Sequence, residues 1–320
     1  MSSIEKLPSN ELLNRCAKAW GLSNLAFVRK MENIVYVCDS SEGKVYLRLT
    51  TPLRRARAEI QAEINWIEHL AKSGLKVPRP IKDRSGHKIT SFSEDEQHFE
   101  AVVFSALEGE HPSKEIAKNP KFLKTLGSLI AQMHLASQRY EGTHQGNKRE
   151  DWFEERGLRH ALAAAQQSQE SFLRQKLDES IAWMKSLDRT HEVYGLVHAD
   201  LGALNLFVEQ DDSIGIIDFD DSCYHWFAFD LAIVIFSMSG RFEHAKPQPE
   251  EVRWLNDLVE GYQTVRPLDQ KQIDLIPSFV DFACLRLYFW IEHHQLLNTF
   301  QEDSLDRLCQ VKQWAKGRVC

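Results

Sequence analysis

The chain of 320 residues is 43% hydrophobic and carries 39 Lys and Arg against 46 Asp and Glu, a formal net charge of -7. That mix argues against global disorder and is enough for two domains or one large one, each with a real core. The acidic balance argues against a nucleic-acid partner held by a broad basic surface and is compatible with a cationic substrate. No apolar run approaches the roughly 20 residues that a membrane helix needs, and the opening MSSIEKLPSNELL lacks the apolar core of a signal peptide, so no membrane partner is expected and a cytoplasmic location is. Cys16, Cys38, Cys223, Cys284, Cys309 and Cys320 are scattered without CxxC or zinc-ligand spacing and read as reduced thiols.

In chain order, Leu12, Leu13, Cys16 and Trp20 fall at helical spacing and predict a short amphipathic helix over residues 9–20. Residues 25–29, 33–38 and 44–49 are strand-like, and DSSEG at 39–43 supplies a turn, so a β-meander is expected. Residues 54–73 are the clearest helix, with Ile60, Ile64, Ile67 and Ala71 on one face and Gly74 as its stop. Glu63 falls on the flank of that apolar stripe, where it either has a partner or reaches water at the rim. Val77-Pro78-Arg79-Pro80 leads into a further strand pair whose second member spans residues 99–104. After SALEG at 105–109 the pattern becomes helical, at 121–137, 152–166 and 171–187, then again at 230–238, 250–264, 278–299 and 305–318. A β-rich lobe followed by a mainly helical lobe is therefore expected, with the boundary at this crossing.

Between those helices lies the stretch YGLVHADLGALNLFVEQDDSIGIIDFDDSCYHWFAFD, residues 194–230. Residues 206–208 and 214–217 are strand-length and flank a turn at 210–213, which reads as a hairpin. His198, Asp200 and Asn205 precede its first strand, and Asp218, Asp220 and Asp221 follow its second. Asn205 and Asp218 offer the hard oxygen ligands that Mg²⁺ prefers, few enough to leave room for phosphate and water. Asp200, on the same loop as Asn205, is the expected base that accepts the acceptor hydroxyl's proton.

HADLGALN, IIDFDD and FDLA together resemble the aminoglycoside phosphotransferase and choline kinase family, relatives of protein kinases, and the resemblance extends over most of the chain. It implies a bilobal, protein-kinase-like α+β fold with a nucleotide-binding lobe at 1–104, a hinge at 105–109 and a helical lobe at 110–320. It also implies ATP or GTP with Mg²⁺ as cofactors. Arg48, in YLRL, is similar to the basic residue that meets the nucleotide phosphates, and Glu63 to the helix glutamate that pairs with it. AVVFSALEG, with Ser105 and Leu107, resembles the hinge whose backbone meets adenine. LGSLIAQMH at 126–134 resembles the first helix of the helical lobe. Asp230 matches an aspartate that helps hold the catalytic loop, although a helix cap is an equal reading. His198 is expected to brace that loop.

This sequence departs from the family pattern at three places. Ala199 stands where the family usually has Gly, which is tolerable if φ there is negative. Arg48 replaces the lysine of protein kinases, and the loop around residues 30–33 has no GxGxxG. Only eleven residues separate Asp218 from Asp230, leaving no room for a peptide-docking activation segment, so a small acceptor is expected. The family implies an amine-bearing alcohol of the aminoglycoside, choline, homoserine or hydroxylysine type. A serine/threonine protein kinase of the same family and a catalytically weak nucleotide-binding regulator are the alternatives. Asp220, Asp221, Asp281 and Glu292, with Tyr224, Trp226, Tyr288 and Trp290, are candidates for an ammonium site, although the helical apolar spacing reads most of the aromatics as core first, and Asp220 also reads as a further magnesium ligand. Acceptor identity and oligomeric state are left open by the sequence.

Overall fold

The structure is a computed structural model that describes residues 7–30, 32–142, 148–239, 249–296 and 302–320. The chain divides into two compact units, one of Met1–Glu108, Tyr140–Lys148 and Gly215–Asp220, the other of Gly109–Arg139, Arg149–Ile214 and Asp221–Cys320.

The first unit opens with α1 (Asn10–Trp20), whose N-cap Ser9 accepts from Leu12 N and whose end turns at Gly21 with φ 71°. Strands β1 (Ser23–Lys30), β2 (Ile34–Ser40) and β3 (Gly43–Thr50) form the expected meander. Helix α2 (Arg57–Lys72) follows, then β4 (Pro80–Ile81), β5 (Thr90–Glu94) and β6 (Gln97–Ser105). The sheet order is β1-β2-β3-β6-β4, with β5 also on β6. Alternating residues of β2 and β3 (Ile34, Tyr36, Cys38, Val45, Leu47, Leu49) pack with Leu12 and Cys16 of α1 into one apolar core. Helix α2 starts three residues later than the periodicity predicts. Residues 51–55 form a turn instead, with Arg54 N and Arg55 N both bonded to Thr51 O, and Glu59 Oε2 accepts from Ala56 N at 2.8 Å to cap the helix.

The second unit contains α3 (Lys114–Ala117), α4 (Pro120–Gln138), α5 (Arg156–Gln167) and α6 (Ser171–Ser186). Next come β7 (Tyr194–Val197), β8 (Leu206–Val208), β9 (Ile214–Ile216, its last two residues belonging to the first unit) and β10 (Cys223–Trp226). The chain ends in α7 (Phe227–Ser239), α8 (Pro249–Gln263), α9 (Gln270–Leu296) and α10 (Glu302–Val319). The expected hairpin is present: β8 and β9 make a two-stranded sheet whose turn is closed by Glu209 N to Ser213 O at 3.0 Å. A second ribbon, not foreseen, pairs β7 with β10 from Cys223↔Val197 to Trp226↔Tyr194. Helix α9 begins eight residues before the predicted 278, because Pro277 lies inside it and Asp269 Oδ1 caps it through Gln272 N at 2.8 Å. Residues 297–299 of that prediction lie outside the described ones.

Helices α4 and α8 approach closely at two glycines. A Cβ on Gly127 would lie 2.0 Å from Leu258 O, and one on Gly261 would lie 1.9 Å from Lys124 O. Only hydrogen fits at either position, and the close approach brings His134 of α4 against Tyr262 of α8.

Candidate active site

In the first unit, Arg48 sits mid-strand on β3, opposite Val35 of β2 and Val102 of β6, an apolar setting that needs a counter-charge. Glu63 on α2 provides it in a two-pronged pair, Nη1–Oε1 2.8 Å and Nη2–Oε2 2.7 Å, with the residues 7% and 1% exposed. The flank position of Glu63 is therefore buried and partnered. Burial works against the Arg48 charge, but Glu63, Asp220 and Asp218 outweigh it and hold the pKa above the ordinary arginine value. The Arg48 Nε donor is buried and has no acceptor among the described residues.

Segment 218–220 is fixed to this unit by its neighbours in sequence. Phe219 is buried edge-on against Trp66 of α2, centroids 5.3 Å apart. The Asp220 carboxylate accepts from Arg54 Nε (2.9 Å) and Nη2 (2.6 Å), Arg55 Nε (3.3 Å) and Asn33 Nδ2 (3.3 Å). Arg54 also pairs with Glu32. Asp220, expected from the sequence to face an acceptor or a metal, has two buried arginines as partners. Asp218 has φ 63°, is 25% exposed at its side chain, and pairs with Arg29 Nη2 at 2.6 Å. At the predicted hinge, Ser105 N bonds Arg79 O at 2.9 Å and Ser105 Oγ accepts from Arg79 N at 2.9 Å, so this amide is spent on the chain beside it rather than offered to a base. The Leu107 side chain lies against Gly215, where a Cβ would come within 2.7 Å of Leu107 Cδ1.

In the second unit, residues 198–205 hang from Asp230. This carboxylate, fully buried in the first turn of α7, accepts from His198 N at 3.0 Å, Ala199 N at 2.8 Å and His134 Nε2 at 3.1 Å. Asp230 lies inside α7, so it serves the loop and is not the cap of that helix. Burial keeps His134 below the usual histidine pKa, against the pull of Asp230, so the ring is neutral near pH 7. Its Nε2–H then donates to Asp230, and its Nδ1 accepts from Tyr262 OH at 2.9 Å. Tyr262 OH accepts in turn from Arg266 Nη1 at 2.8 Å, and Arg266 also holds the Glu192 carbonyl. Every donor in this buried relay points toward Asp230.

The loop itself is strained at one residue. Ala199 has φ 65°, contrary to the negative φ under which Ala would be harmless, and left-handed backbone costs an alanine about 1 kcal/mol. The two amide bonds at 198 and 199 offset that cost. His198 is fully buried and its Nδ1 accepts from Asp200 N at 3.2 Å. Asp200 is exposed, and Asn205 Nδ2 donates to both its carbonyl and its Oδ2 at 2.8 Å. With Nδ2 so occupied, Asn205 Oδ1 faces the other way, and no described group donates to it. Asn205 Oδ1 and the Asp218 carboxylate are hard oxygens of the kind that bind a divalent cation.

The remaining acceptor candidates are dispersed. Glu292 pairs with Lys312 at 3.5 Å and Asp281 with Arg318 at 3.7 Å. Trp226 is 2% exposed among Trp152, Tyr194 and Phe279, and Tyr288 is 4% exposed, so both belong to the core. Tyr224 and Trp290 are half-buried. Asp221 is half-buried, and its charge, after that of Glu155, helps raise the pKa of Arg286 of α9 against burial; sequence reasoning missed this arginine. Arg286 Nε bonds Glu155 Oε1 at 2.8 Å. A charged residue between Leu285 and Leu287 in an apolar helix was the available signal.

A family model described as the phosphotransferase enzyme family matches residues 25–269. The chain belongs to that family. It is accordingly an enzyme that transfers a phosphoryl group to a hydroxyl of a small molecule. Among curated members, amicoumacin kinase of Bacillus subtilis (strain 168) is 26% identical over 305 residues, covering 93% of this chain and 89% of its own. Homoserine kinase of Rhodopseudomonas palustris (strain TIE-1) is 30% identical over 274 residues, covering 83% and 77%. A solved structure of amicoumacin kinase hAmiN in complex with AMP-PNP, Ca2+ and Ami superposes with TM-score 0.84 at 24% identity, covering 97% of this chain and 93% of that one, which shows the kinase-like fold.

Proposed function

We propose that this phosphotransferase moves the γ-phosphoryl group of ATP or GTP to a hydroxyl of a small, amine-bearing acceptor, with Mg²⁺ as the metal and in the cytoplasm. The observation that carries the reading is the loop 198–205, suspended from Asp230 with Asp200 exposed and bonded to Asn205. Asp200 accepts a hydrogen bond from the acceptor hydroxyl and aims its oxygen. As that oxygen bonds to the γ-phosphorus, the bond to the bridging oxygen breaks, the nucleoside diphosphate leaves, and the proton passes to the Asp200 carboxylate.

Asn205 Oδ1 and Asp218 are the residues that would hold the divalent cation, whose contribution is to neutralise charge on the phosphate oxygens. Arg29, now on Asp218, is a second cation suited to those oxygens. Arg48, kept in place by Glu63, offers its unpartnered Nε–H to a phosphate oxygen. Curated relatives that act on amicoumacin and on homoserine support a small acceptor, and the bound AMP-PNP and Ca2+ of the hAmiN structure support a nucleotide with a divalent ion. Among the described residues no helix is long and apolar enough to cross a membrane, which is compatible with the location proposed.

The test is donor consumption by purified protein with Mg-ATP and Mg-GTP across amino alcohols, hydroxyamino acids, aminoglycosides and sugars. Turnover with at least one amine-bearing alcohol is expected. Absence of transfer across the whole panel would overturn the reading.

A further inference from the structure

Two arginines of the first unit lie in one cross-strand row of its sheet. Arg29 of β1 stands opposite Val35 of β2, and Val35 stands opposite Arg48 of β3, so both arginines are on the face turned away from the α1 core. Plain strand alternation would not put Arg29 there. Phe27 is opposite Tyr36, a core residue, and two positions further along a regular strand Arg29 would share that core face. The ladder instead advances two residues on β1 for one on β2, from Phe27↔Tyr36 to Arg29↔Val35. Val28 is the extra residue of a bulge, and the bulge turns Arg29 over onto the face of Arg48.

There Arg29 meets Asp218, which belongs to the same unit, with Nη2 2.6 Å from Oδ2. Among the described residues no other side chain bonds the Asp218 carboxylate. The pair is part-exposed, the Arg29 side chain at 48% and that of Asp218 at 25%. Two residues on, Asp220 is held by Arg54 and Arg55, whose side chains are 6% and 3% exposed. A part-exposed ion pair is weak beside a buried one, so the Arg29 bond is the exchangeable member of the two. Nor does β2 depend on it for its place. Asn33, just before β2, donates to Asp220 at 3.3 Å and accepts from Thr50 Oγ1 at 2.8 Å, which keeps the start of the strand beside segment 218–220.

We propose that Arg29 is a built-in competitor for the divalent cation: a cation bound at Asp218 displaces it, and the displaced guanidinium becomes a partner of the nucleotide phosphates. This rests on the reading of Asp218 as a cation ligand. It adds a positioning residue with two successive partners, set on the site face by a bulge. The protein then binds a divalent cation less tightly than its carboxylate allows, and cation and nucleotide favour one another, because filling Asp218 supplies the guanidinium that the phosphates use.

Calorimetric titration of the full chain tests this without turnover, first with Mn²⁺ alone and then with AMP-PNP at saturating Mn²⁺. Arg29→Gln is expected to bind Mn²⁺ about two- to fivefold more tightly than the wild type, the range of a part-exposed ion pair, and AMP-PNP more weakly by a similar factor. Damage to the site would weaken both ligands, so the opposite signs are decisive. Arg29→Lys, which keeps the charge, should stay within about twofold of the wild type for each. The gain in Mn²⁺ affinity should vanish when Asp218→Asn is added, since the two residues act through one bond. Mn²⁺ binding by Arg29→Gln that is unchanged or weaker, AMP-PNP binding that does not fall, equal effects of Gln and Lys, or a gain that persists with Asp218→Asn would overturn the proposal. A wild-type Mn²⁺ affinity unmoved by Asp218→Asn alone would instead sink the reading of Asp218 as a cation ligand, and this proposal with it.

Discussion

Two acidic segments carry the proposed chemistry, and the protein anchors them by opposite means. Segment 218–220 is held by opposite charges, with Asp220 between Arg54 and Arg55 and Phe219 wedged on Trp66. Loop 198–205 is held by a relay in which an uncharged histidine and a tyrosine stand between Asp230 and the cation Arg266. In both cases the residue proposed to act, Asp218 or Asp200, is not the one that anchors. A buried neighbour bears the structural load, and the acting carboxylate stays accessible.

If that contrast is right, the charge-held segment is the costlier to disturb. Asp220→Ala removes the buried carboxylate that two arginines share, leaving Arg54 with Glu32 and Arg55 with Glu59, and is expected to cost about 3–5 kcal/mol in urea unfolding. A loss under about 1 kcal/mol would mean the cluster is solvated after all. Tyr262→Phe deletes the middle of the relay, leaving His134 Nδ1 and Arg266 each one partner short. About 1–3 kcal/mol should be lost, with a slower phosphoryl transfer and an unchanged nucleotide affinity.

Acid should also strike the relay side. Burial lowers the pKa of His134 and, further, that of His225, so the unfolded chain binds more protons than the native one below the ordinary histidine pKa. Stability is therefore complete above about pH 6.5 and declines as pH falls below it. Melting temperatures recorded between neutral and mildly acidic pH should drop on the acid side; a flat profile would contradict neutral buried imidazoles. The smallest effect is expected at Ala199→Gly, which relieves the left-handed backbone and gains about 0.5–1 kcal/mol in the same unfolding assay.

The sequence displayed the residues proposed to act better than their supports. Asp200, Asn205 and Asp218 stand out because motif spacing and strand-length apolar runs are local properties. Glu63 was visible as a carboxylate on the flank of an apolar stripe, which implied a partner before Arg48 was seen to be one. The supports were harder to read because they depend on tertiary approach. His134, Tyr262 and Arg266 are distant in sequence from Asp230 and meet only where Gly127 and Gly261 let α4 and α8 touch. The arginines that partner Asp220 lie over 160 positions away and could not be paired with it from the sequence. The φ of Ala199 could not be read from residue type, since alanine gives no sign of left-handed backbone.

The central claim is that Asp200 aims and deprotonates the acceptor while Asn205 and Asp218 serve the cation. The most direct measurement is pre-steady-state transfer by Asp200→Asn alongside its nucleotide affinity. The account predicts a transfer rate lower by about 10²- to 10⁴-fold with nucleotide binding unchanged. A rate within about threefold of wild type would place the proton elsewhere and contradict it.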